Sequence, residues 1–352
     1  MMNKSRKKAS FILFTSAALF LLLMAFLLSV SLGSVRIPLN EIVRLFINRL
    51  FRVGNVADIA QSQSDILFSV RMPRVILAAM VGAALSIGGV AMQGLLKNPL
   101  ADGSTLGITS GGALGAVLSI ILGFNLPLFP QAGLALMSIL FSFLSLVLIL
   151  GLSYKIDHSL STQTIILTGV IFSMLAGSMT SLLVTLAGNN LKQVVFWSMG
   201  SFSGRGWSHV RLMVPFFLIG TFILLGVSRE LNAFSLGEEQ ARYIGVNTKR
   251  IKLLILIVVS ILVGISVALS GTIGFVGLVI PHITRLLTGP DHKKLLPLSI
   301  LLGASFLMLT DLLSRTVLSP AELPIGVVTS FIGALLFIYI FYTQTVKKNK
   351  GI

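Results

Sequence analysis

Apolar runs about as long as a bilayer is thick recur along this 352-residue chain, separated by short polar turns. A bilayer core admits only segments whose backbone polar groups are satisfied internally, and at helical rise about 20 residues cross it. The runs fall near residues 11–32, 71–95, 105–124, 131–153, 163–187, 210–229, 250–270, 274–288, 295–318 and 324–345. The expected fold is therefore all-α: a polytopic membrane protein of about ten transmembrane helices, forming one transmembrane domain over residues 1–352. With 55% hydrophobic and 11% charged residues, the chain holds more apolar surface than a single water-soluble core can cover.

One run is ambiguous. GFVGLVIPHITRLL is short and carries Pro281, His282 and Arg285, so it reads as either a re-entrant segment or a span. Charge decides between them: KSRKK near the start and VKKNK near the end are both basic, and positively charged flanks stay in the cytoplasm. Two cytoplasmic termini require an even number of crossings, which favours ten over nine. The first run is too long for a signal-peptide core and no A-x-A site follows it, so it is expected to stay as a helix.

A net charge of +16 raises nucleic acid as a partner, but the basic residues are scattered over loops with no soluble face to gather them. No nucleic acid is expected. The chain has no cysteine, which removes disulfides and thiolate metal sites. Its four histidines stand apart with no HExxH, no GxSxG occurs, and SGGALGA at 110–116 lacks the lysine of a phosphate loop. Neither an enzyme nor a resident cofactor or metal is implied.

Coupling to an ion gradient needs ionisable groups near the midplane, where a charge costs about 2.5–3.5 kcal/mol to insert. Of the acidic residues, only Asp311 lies well inside an apolar run, and Arg315 one helical turn on offers it a structural partner. A chain with a transporter's bulk, no coupling site and no nucleotide loop draws its energy from a partner. An ion-coupled carrier is the alternative reading; the opposed pair MVGAALSIGG (80–89) and LVGISVALSG (262–271) would fit its inverted repeats.

A handle for such a partner should be polar and cytoplasmic. The longest inner loop, SRELNAFSLGEEQARYIGVNTKRIK, fits: Ser235 with Glu238 suggests a capped helix, and Gly245 its end. On the other side Arg71, Arg74 and Arg315 face outward, suited to lipid phosphates or to an acidic protein. Residues 35–55 read as an amphipathic surface helix through Ile42, Leu45, Phe46 and Leu50. Trp197 and Trp207 read as interfacial anchors. KNPLAD is a tight inner turn in which Pro99 bars the helix and Asp102 or Ser104 caps the next one.

These residues resemble the FecCD-type membrane subunits of bacterial ABC importers, which serve iron-siderophore, haem and cobalamin uptake. The likeness covers nearly the whole chain from about residue 30. It is carried by RMPRVILAAMVGAALSIGGVAMQGLLKNPLADGSTLGITSGGALGA, GEEQARYIG, SGTIGFVGLVIPHITRLLTGPDHKKLLP and ELPIGVVTSFIGALLFI.

The resemblance implies a cobalamin/siderophore-type permease fold in the bacterial inner membrane. It works with a second permease copy, the same chain or a similar one, two cytoplasmic ABC ATPase subunits and an extracytoplasmic substrate-binding protein. It implies that Arg71, Arg74 and Arg315 dock the binding protein, that Glu239, Ala241 and Gly245 belong to the ATPase coupling loop, and that Ser161, Thr162 and Gln163 form a cytoplasmic gate. An iron-siderophore complex is the expected cargo, with haem or cobalamin as alternatives.

Overall fold

The computed structural model describes residues 2–33, 35–53, 59–126, 130–158 and 160–349, with the side chains of 2–10, 130–131, 341 and 344–349 left aside. The basic clusters KSRKK and VKKNK, on which the expected orientation rests, thus lie outside the described side chains.

The helices are α1 (Met2–Ser31), α2 (Leu39–Phe51) and α3 (Gln61–Asp65), which passes through a π-helical turn (Ile66–Arg71) into α4 (Met72–Leu96). There follow α5 (Ile108–Leu122), α6 (Pro130–Ile156), α7 (Thr162–Leu186), α8 (Leu191–Ser198), α9 (Trp207–Gly226) and α10 (Ser228–Leu236). The chain ends with α11 (Glu238–Tyr243), α12 (Thr248–Ser270), α13 (Val276–Thr288), α14 (His292–Thr316) and α15 (Ile325–Asn349). Among the described residues seven helices are long and apolar enough to cross a membrane, and Ile108–Leu122, Val276–Thr288 and Ile325–Ile340 are shorter apolar helices at the remaining expected spans.

Helix α4 is the axis of the bundle, buried along nearly its whole length between α14, α12, α13 and α9. Lipid tails are as apolar as leucine, so helices in a bilayer gain little from hydrophobicity and associate through close backbone approach. Small residues on α4 provide it. Gly82 meets Gly303 of α14, where a Cβ on Gly82 would stand 2.7 Å from Leu307 Cβ, and Gly89 meets Gly277 of α13, where a Cβ would stand 2.6 Å from the Gly277 carbonyl carbon. The serines of α6 do the same work against α5: Ser142 donates to the Ile108 carbonyl, and Ser138 to that of Gly264 on α12.

The ambiguous run resolves through its neighbours. Helix α12 ends where Ser201 N–H donates to the Ser270 carbonyl, and Ile325 N–H donates to the neighbouring Gly200, close to the Arg74 end of the bundle. Helix α14 begins at the opposite end, with His292 against Gly94. The segment 271–288 joins the two ends and so traverses the bundle. Only 13 of its residues are helical, a rise of about 20 Å; residues 271–275 make up the rest as non-helical chain. Helices α4 and α12, which carry the weakly similar sequences, run in opposite directions as expected.

Several expectations are corrected. Trp197 is buried rather than an interfacial anchor, while Trp207 is exposed and its indole donates to the Phe68 carbonyl at 2.8 Å. Helix α2 is amphipathic over Leu39–Phe51 and buries Ile42 and Leu45, but Leu50 faces outward; residues 54–55 of that reading lie outside the described residues. Asp102 caps the turn at 102–105, accepting from the Ser104 and Thr105 N–H groups, and α5 starts only at Ile108.

Candidate functional site

The three arginines expected to face a partner are brought together at one end and turned inward. Arg71, Arg74 and Arg315 are 4%, 8% and 8% exposed. The π-helical turn before Met72 rotates Arg71 toward the end of α1, where it donates to the carbonyls of Val30 and Ser31, both at 2.8 Å, and to that of Val35. Arg315 reaches the same end of α1 through the Leu32 carbonyl at 2.7 Å and the Ser29 carbonyl.

Arg74 holds two carboxylates at once. Its Nε and Nη2 meet Asp311 at 2.9–3.1 Å, and its Nη1 and Nη2 meet Glu322 at 2.8 and 3.1 Å. The Asp311–Arg315 pair expected from the helical spacing is present at 3.4 Å, but Arg74 is the closer partner. Glu322 is half-exposed, and although burial alone would raise its carboxyl, the Arg74 hydrogen bond and charge hold it below the usual carboxylate range. Glu322 heads the stretch ELPIGVVTSFIGALLFI that carries part of the resemblance, but it lies in a loop with no helical register to Arg74, so its pairing could not be read from the sequence.

At the other end α10, α11 and the start of α12 form an elbow. Its first helix does not begin where Ser235 was expected to cap it: Ser235 lies in the last turn of α10, its hydroxyl donating to the Leu231 carbonyl, and α11 starts after Gly237. The expected stop holds, because Gly245 has φ 91° and Val246 N–H closes on the Ala241 carbonyl at 3.0 Å. Ala241 is fully buried, Glu239 is exposed, and the Glu238–Lys252 ion pair at 2.8 Å ties α11 to α12. Around Glu239 the elbow exposes Leu236, Ile244 and Tyr243, the last 89% exposed.

Ser161 caps α7, accepting from Thr164 N–H, while its own N–H donates to Asp157 at 3.1 Å. Ser161 and Thr162 share a cavity of about 600 Å³ with Glu238, Glu239 and Arg242, so the expected gate and coupling residues adjoin; Gln163 is exposed beside it.

Between the ends, a cavity of about 800 Å³ opens on α5, α7 and the start of α15. Thr109, Ser110, Thr180, Ser330 and Phe331 line it with the non-helical chain at Thr272, Ile273 and Gly274, and among the described residues no charged one does. Non-helical backbone at membrane depth persists only where protein buries it or where it borders a cavity. Here it does the second.

A model of the FecCD transport family matches residues 21–343. The chain belongs to that family. It is 49% identical over 323 residues to an uncharacterized ABC transporter permease, YvrB, of Bacillus subtilis, covering 92% of this chain and 91% of that one. It is 38% identical to the hemin transport permease HmuU of Yersinia pestis, over 81% and 85% of the two chains. It is 36% identical to the cobalamin import permease BtuC of Halobacterium salinarum, over 82% and 76%.

A solved ABC transporter chain in an inward-facing conformation, assigned to the metal-chelate type, superposes with a TM-score of 0.79 at 36% identity, covering 93% of this chain and 98% of that one. This chain is thus a multi-pass ABC importer permease, a transport component whose ATPase sits in a separate subunit. The ion-coupled carrier reading is set aside by that membership.

Proposed function

We propose that this permease carries an iron-siderophore complex across the bacterial inner membrane, with both termini in the cytoplasm. The uncharged cavity beside the broken segment 271–288 carries this reading. Paired with a second copy, such a face becomes a wide passage of hydroxyls and small apolar groups. A bulky neutral or weakly charged chelate passes such a wall without being trapped. A small oxyanion, such as the molybdate named for a Haemophilus influenzae relative 37% identical to this chain, calls for cations that this lining lacks. Haem and cobalamin, named for other relatives, are bulky too and form the second reading.

In the proposed cycle the loaded binding protein docks at the Arg71–Arg74–Arg315 end. Asp311 is 1% exposed and stays with Arg74, while the half-exposed Glu322 is the partner that an acidic group on the binding protein exchanges with. At the other end the ATPase seats on the apolar elbow around Glu239 and Tyr243, with Ala241 buried behind it and Gly245 fixing the turn. Because the elbow and the Ser161–Thr162 turn border one cavity, with Gln163 beside it, a push on α11 reaches the gate directly.

Uptake of radiolabelled iron from several ferric siderophores, in iron-limited cells with and without the gene, tests the cargo. Loss with one siderophore class supports the reading. Unchanged uptake of all of them, with loss of haem or cobalamin uptake instead, replaces it.

A further inference from the structure

The three arginines at the docking end all find acceptors inside the chain: Arg71 in three carbonyls, Arg315 in two carbonyls and Asp311, Arg74 in Asp311 and Glu322. A fourth guanidinium stands at the same end without such acceptors. Arg205 lies in the loop between α8 and α9. Its neighbours in the chain bracket it there: Ser203 lies beside the Glu322 carboxylate, and the Trp207 indole donates to the Phe68 carbonyl in the π-helical turn that carries Arg71.

Among the described residues the Arg205 side chain has one polar partner, His209, whose Nε2 lies 3.3 Å from Nη1. Even that acceptor is contested. Gly206 N–H donates to His209 Nδ1, also at 3.3 Å, and a neutral imidazole has a lone pair on only one ring nitrogen, so two donors compete for it. Arg205 is half-buried: its Nε is enclosed without a partner, while Nη2, which also lacks one, is not enclosed. A guanidinium stays charged and carries five N–H donors. Held part-way out of water beside no anion, it loses hydration without gaining a counter-charge.

The surface around Arg205 suits a protein contact. Ser203 and Gly204 are exposed, and Gly204 has φ 69°, so backbone without a side chain precedes the arginine. Trp207 is 42% exposed, and its indole hydrogen bond fixes the ring in place. An arginine next to a pre-positioned aromatic ring is the composition of an interface hot spot.

We propose that Arg205 is a further docking residue for the substrate-binding protein, its open edge taking a carboxylate of that protein while Trp207 packs against the same segment. The proposal rests on the reading that this end is the docking end. Arg74 takes a partner's carboxylate only by giving up Glu322, whereas Arg205 gives up no more than a contested imidazole. A lipid phosphate is the competing anion. The position between Glu322 and the Arg71 turn favours the protein, because the partner that meets those groups reaches Arg205 in the same encounter.

The test measures binding of the loaded substrate-binding protein to the full-length permease in phosphatidylcholine nanodiscs, by surface plasmon resonance at several ionic strengths. Arg205→Gln is expected to weaken binding about tenfold, the effect of one charged hydrogen bond, with a shallower salt dependence. Arg205→Lys keeps the charge without the planar fork and is expected to fall in between. Because the substitution removes a charge with no internal counter-ion, the melting midpoint of the permease alone is expected to hold or rise. Arg211→Gln, which removes an equal charge from an exposed position on α9, is expected to leave binding unchanged.

Unchanged affinity in Arg205→Gln, or equal weakening by Arg211→Gln, overturns the proposal. So does a lowered midpoint of the permease alone, which makes Arg205 a prop of its own loop. Unchanged affinity with a midpoint that Arg205→Gln alters only in discs containing phosphatidylglycerol assigns the guanidinium to a lipid phosphate. The chain has no cysteine, so Ser203→Cys places a single maleimide target near Arg205. Protection of that thiol by the binding protein, with affinity indifferent to Arg205→Gln, removes the role of Arg205 and leaves the docking end standing; no protection moves the docking end elsewhere and takes both readings with it.

Discussion

Replacing Gly89 by alanine adds one methyl group to α4 where it crosses α13. The new Cβ would stand 2.6 Å from the Gly277 carbonyl carbon and 2.8 Å from its Cα, both backbone atoms. Ordinary carbon contacts lie at about 3.5–4.0 Å, so the two helices must part by about 1 Å, and a gap of that size forfeits a quarter to a half of each dispersion contact along the crossing. Overpacking of this kind costs about 1–3 kcal/mol.

One residue earlier the same change has the opposite balance. A Cβ on Gly88 meets Val259 Cγ1 at 3.5 Å, an ordinary contact, so Gly88→Ala keeps only the helix-propensity gain of up to ~1 kcal/mol. The two variants should differ by about 1–4 kcal/mol, read as denaturant midpoints of the detergent-solubilised protein. Gly82→Ala, which meets Gly303 and Leu307, should behave like Gly89→Ala. Equal stability of the Gly88 and Gly89 variants would refute close backbone approach as the glue of this bundle.

Four further outcomes follow from the ends of the bundle. Asp311→Asn leaves Arg74 buried beside one half-exposed carboxylate and should cost about 3–5 kcal/mol, whereas Arg74→Met with Asp311→Leu recovers most of it; a double-mutant cycle with no coupling would count against the network. Glu322→Gln removes Arg74's exchangeable partner and should tighten binding of the loaded substrate-binding protein, so weaker binding in surface plasmon resonance would sink the exchange. Tyr243→Asp with Ile244→Asp should abolish co-purification of the ATPase subunit while the permease melts normally, and retained co-purification would move the contact elsewhere.

The fourth concerns pH. Burial alone would raise the Asp291 carboxyl, but the Asn232 hydrogen bond, the Lys293 N–H and the charges of Lys294 and Lys293 outweigh it and hold it low in the folded state. A depressed carboxylate contributes stability that is complete above the ordinary aspartate range and is lost as pH falls through that range toward the lowered folded value. Asp291→Asn should flatten that part of the stability profile, and an unchanged acid limb in pH-dependent melts would show that the carboxylate contributes nothing.

Much of the molecule was legible in the chain because a bilayer leaves so few options. Run length alone placed α1, α4, α6, α7, α9, α12 and α14, and Gly245 announced the end of α11 because left-handed backbone favours glycine. Motif resemblance supplied the family, and the missing midplane carboxylates pointed to an outside source of energy.

What the sequence could not decide was which way polar side chains turn once the helices meet. Arg71, Arg74 and Arg315 read as outward-facing because the topology placed them at one end; the structure turns them onto Asp311, Glu322 and the carbonyls at the end of α1. Glu322 and the His292–Asn232–Asp291 chain lie in loops or join residues about 60 positions apart, beyond any helical period. That 271–288 crosses the bundle with a non-helical start likewise appeared only once α12 was seen to stop and α14 to begin at opposite ends. Hydrophobic length is a property of each segment and is written locally. The pairing of buried charges depends on which segments become neighbours, and only the tertiary structure brings them together.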